Sequence, residues 1–246
     1  MIDLHCHVLP GLDDGPRSLA DSVELCRAMA QSGTTTAVAT PHVSADWPLN
    51  TPPVISAACQ WLSDVLAREA VPLSIMAGAE VAMGTAARLD DDQLFGLHLG
   101  DGPWLLVECP AVPSTAGFDR ILYSLQERGH RIVLGHPERC PAFQRDPAAL
   151  EAFAATGMLC SVTSGSLTGR FGRNAQRLAL SLLRGGLVHN LASDAHNTTR
   201  RPPWLSQDLQ AAGIDQLADW YADAVPRAIL SGDDSPLRGA TGAISA

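Results

Sequence analysis

Short apolar runs alternate with longer stretches in which apolar residues recur every three or four positions, and this alternation continues along nearly the whole chain. Residues 2–8 read as a strand, and 34–40, 73–80, 104–108, 132–135, 158–162 and 187–192 repeat the signature. Ser18 with Asp21 three positions on resembles a capping box. Ala20, Val23, Cys26, Met29 and Ala30 then follow at helical spacing until Gly33 ends the helix. Further helices are predicted over 54–70, 91–95, 116–128, 147–155 and 172–184, with two short ones after Pro203 and around 216–230. Strands separated by helices run parallel, and such units fit an open doubly wound sheet or a closed barrel. No linker divides them, so one domain over 1–231 is expected, followed by a Gly-, Ser- and Ala-rich tail, 232–246, expected to be flexible.

Composition narrows the class. A chain of 246 residues that is 46% hydrophobic can bury a full core. It has no run of apolar residues long enough for a membrane span and does not open on a signal peptide, which predicts a cytoplasmic protein. The formal charge of −9 argues against a nucleic-acid backbone as the main partner. The cysteines at 6, 26, 59, 109, 140 and 160 form no C-x-x-C pair, as expected of reduced thiols. Cys140 and Arg145 miss the spacing of a cysteine-nucleophile phosphatase by one position. The chain contains no lysine, which removes Schiff-base chemistry and the phosphate-cradling lysine of a P-loop.

Candidate chemistry collects at the ends of the predicted strands. His5 and His7 lie two apart, so both imidazoles leave the same face of a strand. His42 follows the second strand, Glu80 ends the third and Glu108 the fourth; His136 follows the fifth, Asp194 and His196 follow the seventh, and Asp14 lies in the first loop. Parallel strands bring all these ends to one face, where barrel active sites form. Taken singly, Glu80 or Glu108 could be salt-bridged and Asp14 could shape a turn. Together they point to cations, because gathering several carboxylates without them is costly. His98, His130 and His189 lack this placement and are expected to be structural or exposed.

The segments His5-Cys6-His7-Val8-Leu9-Pro10-Gly11-Leu12-Asp13-Asp14-Gly15, Ala39-Thr40-Pro41-His42, Gly135-His136-Pro137-Glu138-Arg139 and Ser193-Asp194-Ala195-His196-Asn197 resemble the polymerase and histidinol phosphatase (PHP) superfamily. More narrowly, they resemble its CpsB/CapC/YwqE-type bacterial tyrosine-protein phosphatases, over residues 1 to about 201. The resemblance implies a distorted seven-stranded TIM-like (β/α)7 barrel holding three divalent metal ions, commonly manganese. It would place His5, His7, Glu80 and Asp194 on one metal, Glu80, Glu108 and His136 on a second, and Asp14, His42 and His196 on a third. Oxygen and imidazole donors without thiolate suit Mn, Fe or Zn equally. Three such cations would outweigh the four carboxylates and leave positive charge for an anionic phosphate monoester.

The implied reaction is hydrolysis of phosphotyrosine on a bacterial tyrosine autokinase of capsule or exopolysaccharide biosynthesis, a metal-bridging hydroxide attacking phosphorus in line. Arg139 and Arg201, next to ligands, are expected to clamp phosphate oxygens, with Arg170 and Arg200 as weaker candidates. Trp47 and Trp204 could stack on the phenol ring or simply pack. A small-molecule phosphatase acting on histidinol phosphate or a sugar phosphate, a nuclease, and a non-catalytic PHP binding module stay open as alternatives.

Overall fold

The computed structural model describes residues 1–233, so of the predicted tail all but Gly232 and Asp233 lies outside the described residues. Among the described residues nine strand segments occur: β1 (Ile2–Cys6), β2 (Thr36–Ala39), β3 (His42–Val43), β4 (Ser74–Ala77), β5 (Glu80–Ala82), β6 (Trp104–Glu108), β7 (Arg131–Gly135), β8 (Leu159–Thr163) and β9 (Asn190–Ala192). All pairings are parallel. Two ladders run in the orders β1-β2-β4 and β3-β5-β6-β7-β8-β9.

The predicted second and third strands are each broken in two, and the breaks have local causes. Pro41 has no N–H to give a ladder, yet its carbonyl accepts from Glu80 N at 3.2 Å, so β3 and β5 resume the course of β2 and β4. Gly78 lies at the second break, where a Cβ would stand 2.7 Å from Val38 Cγ1. Glu80 therefore opens a strand segment instead of ending one, and His42, which follows β2 as the periodicity suggested, opens the short β3. At the other limit of the sheet β9 comes beside β1: Asp194 N donates to His5 O at 2.9 Å and His7 N to Ala195 O at 2.8 Å, with an isolated parallel bridge between Cys6 and Ala195. The strands thus follow the order of a distorted α/β barrel whose last contact is a bridge, not a ladder.

The helices between the strands follow the predicted pattern with shifted ends. Helix Leu19–Gln31 starts on the reciprocal Ser18/Asp21 capping box. Helix Pro52–Arg68 starts two residues earlier than expected, because a proline in the first turn gives up an N–H that has no helical partner anyway. The stretch read as a helix around 216–230 is composite: a 3-10 turn at Asp215–Leu217, a π segment at Trp220–Ala224 and an α-helix at Val225–Ser231. Short helices at Met83–Ala86, Pro141–Arg145 and Ser164–Leu167 carried no periodic signal. Among the described residues no helix is long and apolar enough to cross a membrane.

Two apolar clusters pack around the sheet. The larger packs helix faces against the strands, with Leu62, Leu122 and Phe143 fully buried. The smaller joins Ile2, Leu4, Val38, Leu106 and Val133 to Trp104, Val225 and Ile229. Trp104 and Leu106 precede Glu108 at alternate positions of β6, so this cluster lies toward the strand beginnings and leaves their ends for polar side chains. Burying each Leu-sized side chain there stabilises the fold by ~1.5–3 kcal/mol.

Candidate metal centre

All nine residues singled out as ligands come close to one another, His5 from within β1, His42 and Glu80 from the first positions of β3 and β5, and Asp14 from a loop. His5 and His7 approach each other at 3.4 Å between Nε2 atoms, where the pairing of β1 with β2 slips between Asp3 and Cys6. Glu80 Oε2 lies 3.1 Å from His5 Nε2, 3.4 Å from His7 Nε2 and 3.1 Å from His42 Nδ1. Asp194 Oδ1 is 3.4 Å from both His5 Nε2 and His7 Nε2. Glu80 Oε1 takes His136 Nε2 at 2.6 Å, and Glu108 lies 4.0 Å from His136 and 3.8 Å from His42. On the outer side Asp14 Oδ1 is 3.1 Å from His196 Nε2 and 3.4 Å from His42 Nε2. Donor atoms close enough to share one cation fall into three groups: His5, His7 and Glu80; His42, Glu80 and Glu108; and His7, Asp14, His42 and His196. The groups overlap more than the implied ligand sets, since His7 and His42 each face two of them.

The electrostatics fit cations there. Glu80 Oε2 and Asp194 Oδ1 are buried and have no hydrogen-bond partner although imidazoles surround them. Burial opposes ionising Glu80, yet the charges of His5 and His136 hold it well below the usual carboxylate range. Burial likewise opposes Asp194, and His5, His7, Arg201 and Arg139 overcome it. Glu108 is pushed up, by burial and then by the Glu80 charge beside it. Burial and the His7 charge bring His196 down to about 4. Ionised carboxylates with idle buried oxygens, facing imidazoles, are the donor set of a multinuclear site for hard to borderline divalent ions.

A surrounding layer positions these groups, and the sequence reading did not assign it. Asp13 is buried; its Oδ2 accepts from His7 Nδ1 at 2.6 Å and from His42 N at 3.0 Å, and its Oδ1 from Gly15 N at 2.9 Å. Such a carboxylate behind an imidazole fixes the ring and its tautomer. Asp3 does similar work on the backbone, accepting from His5 N and Ser193 N. Asn50 donates to the carbonyls of Leu12 and His42, tying the two outer loops together. Buried Glu138 accepts from Thr163 N and Ser166 Oγ, which anchors the turn Pro137–Arg139 to the end of β8. His136 and Asp194 adopt left-handed backbone, with φ of 31° and 52°. Asp13 sits in an Asp-Asp-Gly turn like its neighbour, so nothing in the sequence marks which carboxylate turns inward.

Arg139 and Arg201 both donate to Asp194 Oδ2, and Arg201 also lies 3.6 Å from Asp14. Arg139 stacks over Phe171 at 4.5 Å, an aromatic the sequence reading passed over. Arg170 is instead held by Asp208 through two hydrogen bonds, at 3.0 and 2.7 Å, and lies over the exposed ring of Trp204. Arg200 is exposed, and Trp47 lines cavities on the His42 side. His98, His130 and Asp91 form a chain of their own near the opposite loops, and His189 Nδ1 accepts from Cys160 N. The cysteines are buried free thiols, and burial pushes Cys26, Cys59 and Cys160 up to about 12, which leaves no thiolate to act as nucleophile.

Comparison with known proteins places this arrangement. The family described as "Capsular polysaccharide synthesis, CpsB/CapC" matches residues 1–223. The chain belongs to the CpsB/CapC family. It is 36% identical over 203 residues to the tyrosine-protein phosphatase YwqE of Bacillus subtilis, covering 82% of this chain and 79% of the relative. It is 25% identical over 214 residues to the tyrosine-protein phosphatase CpsB of Streptococcus pneumoniae, covering 84% and 87%. A crystal structure from work on YwqE and CpsB, described as unique metal-dependent tyrosine phosphatases, superposes with a TM-score of 0.79 at 32% identity, covering 97% of this chain and 94% of its own. The α/β architecture is therefore that of the CpsB/CapC family.

Proposed function

We propose that this chain is a metal-dependent phosphomonoesterase that hydrolyses phosphotyrosine in proteins, acting as one domain over residues 1–231. The observation that carries the reading is the convergence of Glu80 and Asp194, each with an idle buried oxygen, on the imidazoles of the site, beside the Arg139 and Arg201 guanidiniums that both bond Asp194 Oδ2. Three divalent ions, manganese in our reading, would be held by His5, His7, Glu80 and Asp194, by Glu80, Glu108 and His136, and by Asp14, His42 and His196. Bound there, such ions supply Lewis-acid polarisation of the phosphate and a water acidic enough to act at neutral pH.

The chain's own residues do the rest. Arg139 and Arg201 present planar forks at Asp194 and are placed to turn bidentate bonds onto phosphate oxygens. Phe171 beneath Arg139 holds its guanidinium plane. A phenol leaves with a low pKa, so the departing oxygen needs no strong acid, and no side chain has to be held protonated for it. Family membership supports a substrate in capsule or exopolysaccharide biosynthesis, and we infer a tyrosine autokinase of the cytoplasm, where the buried cysteines stay reduced.

Metal-stripped protein is expected to lose hydrolysis of p-nitrophenyl phosphate and of phosphotyrosine peptides, and to regain both with Mn. Binding also raises stability, by about 2.7 kcal/mol at a free metal concentration 100 times its dissociation constant. A strong preference for histidinol phosphate or a sugar phosphate over phosphotyrosine would refute the substrate assignment. Full activity in the stripped protein would refute the metal centre.

A further inference from the structure

The candidate ligands are not held alike. His5, Glu80 and Asp194 stand on or just beyond strands β1, β5 and β9, and their side chains are 2% exposed or less. Asp14 comes from the loop between β1 and helix Leu19–Gln31, and at 51% it is the most exposed of the nine. The outer group of donors, His7, Asp14, His42 and His196, therefore draws on three separate stretches of chain, one of them a loop open to water. The stretches that carry Asp14 and His42 are joined through a buried side chain outside the ligand set. Asn50 is 5% exposed, and its Nδ2 directs both N–H groups at carbonyls, Leu12 O at 2.9 Å and His42 O at 2.8 Å. Leu12 lies two residues before Asp14.

Asn50 is itself fixed. Its N–H donates to Trp47 O at 3.3 Å, Thr51 N donates to Leu49 O at 3.0 Å, and Thr51 leads straight into helix Pro52–Arg68. Asp13 accepts from His42 N at 3.0 Å, so the backbone of His42 is held at its N–H by Asp13 and at its C=O by Asn50. Both bonds of the Asn50 amide end on segments of the outer group, whereas His5, Glu80 and Asp194 take their places from the strands and the bridge beside them. A cation among loop-borne, exposed donors exchanges more readily than one among buried donors on strands, because a loop opens locally at a fraction of the cost of opening the sheet. We infer that Asn50 is a positioning residue for the outer metal position alone, the one formed by Asp14, His42 and His196, and that this position is the exchangeable one of the three. This rests on the three-metal reading above. Losing a partner behind a metal ligand lowers affinity about 10- to 100-fold, and a strut that acts through the backbone stands at the lower end, about tenfold.

Metal bound per chain, measured by elemental analysis after dialysis against buffered free Mn, tests this without reference to turnover. Wild type is expected to hold three Mn at high free concentration and to release one of them first, leaving a plateau at two as Mn is lowered. In Asn50→Leu, where an apolar side chain of nearly the same size donates nothing, the first release is expected at a free Mn concentration about tenfold higher, with the release of the other two moved by about twofold at most. Asn50→Ser keeps one donor and should fall between. Asp14→Asn alters a donor of the outer group, and in that background Asn50→Leu should change nothing further. Ile229→Val trims the apolar cluster at the strand beginnings, and should lower the unfolding midpoint while leaving every release where it is in wild type. Asn50 variants that release Mn as wild type does or that weaken all three ions equally, a further change in the Asp14→Asn background, or an equal shift in Ile229→Val overturns the role of Asn50. Wild type that releases its ions together overturns the exchangeable position. If wild type never binds three Mn, the three-metal reading falls and takes this inference with it.

Discussion

Asp13→Asn probes the positioning layer behind the metal centre without emptying any space. The carboxylate accepts at both oxygens: Oδ2 takes His7 Nδ1 and His42 N, and Oδ1 takes Gly15 N. An amide in its place has one acceptor and one donor. With the NH₂ on the inner side it faces the His7 N–H and the His42 N–H; flipped, it faces the Gly15 N–H. The first orientation sets the amide against two donors and the second against one, and both remove the charge that strengthens the 2.6 Å bond to His7. Losing one charge-assisted bond costs ~1.5–3 kcal/mol, equivalent to about 10- to 100-fold in affinity, the range also seen when the partner of a ligating histidine is removed. The assay is Mn titration of stripped wild type and variant, followed by p-nitrophenyl phosphate hydrolysis and by calorimetry. The half-saturating Mn concentration is expected to rise about 10- to 100-fold, with most of the rate recovered at high Mn. A half-saturation point within twofold of wild type would show that His7 needs no such support and would refute the argument.

Two further expectations test the frame around the site. Burial first, and the His130 charge second, push the His98 imidazole from its ordinary 6.5 down to about 4. A folded pKa below the unfolded one means that the unfolded chain takes up more protons in that window, so the stability due to a neutral His98 is present above pH 6.5 and lost as pH falls toward 4. Urea midpoints at pH 7.5 and 5 should therefore differ less in His98→Gln than in wild type, and an equal difference would contradict the assignment. In Gly102→Ala the new Cβ would stand 2.2 Å from the carbonyl oxygen of Ile229, a backbone atom that cannot swing aside. Chemical denaturation should show a loss of ~1–3 kcal/mol, and an unchanged midpoint would mean that helix Val225–Ser231 can move away.

The legible part of the sequence was the part written in periodicity. Apolar runs separated by amphipathic stretches placed the seven predicted strand regions, and the candidate ligands were readable because parallel strands carry His42, Glu80, Glu108, His136 and Asp194 to one face. The breaks at Pro41 and Gly78 were not readable, since each depends on contacts with residues far away in the chain, such as Val38 against Gly78. The inward turn of Asp13 was hidden for a related reason. Asp13 and Asp14 share one turn signature, and only the folded loop separates a carboxylate under His7 from one beside His196. The fate of Arg170 likewise hung on Asp208, a partner 38 positions away.

His136 and Asp194 bend the chain through left-handed backbone, which among the described non-glycine residues only Ala70 also does. Holding an ordinary residue there costs about 1–3 kcal/mol, and glycine would relieve it. Glycine has no side chain with which to bind anything. Screening variants of this chain for heat resistance alone would therefore reward replacements that silence it, and any selection for sturdier versions has to be run with turnover as a second criterion.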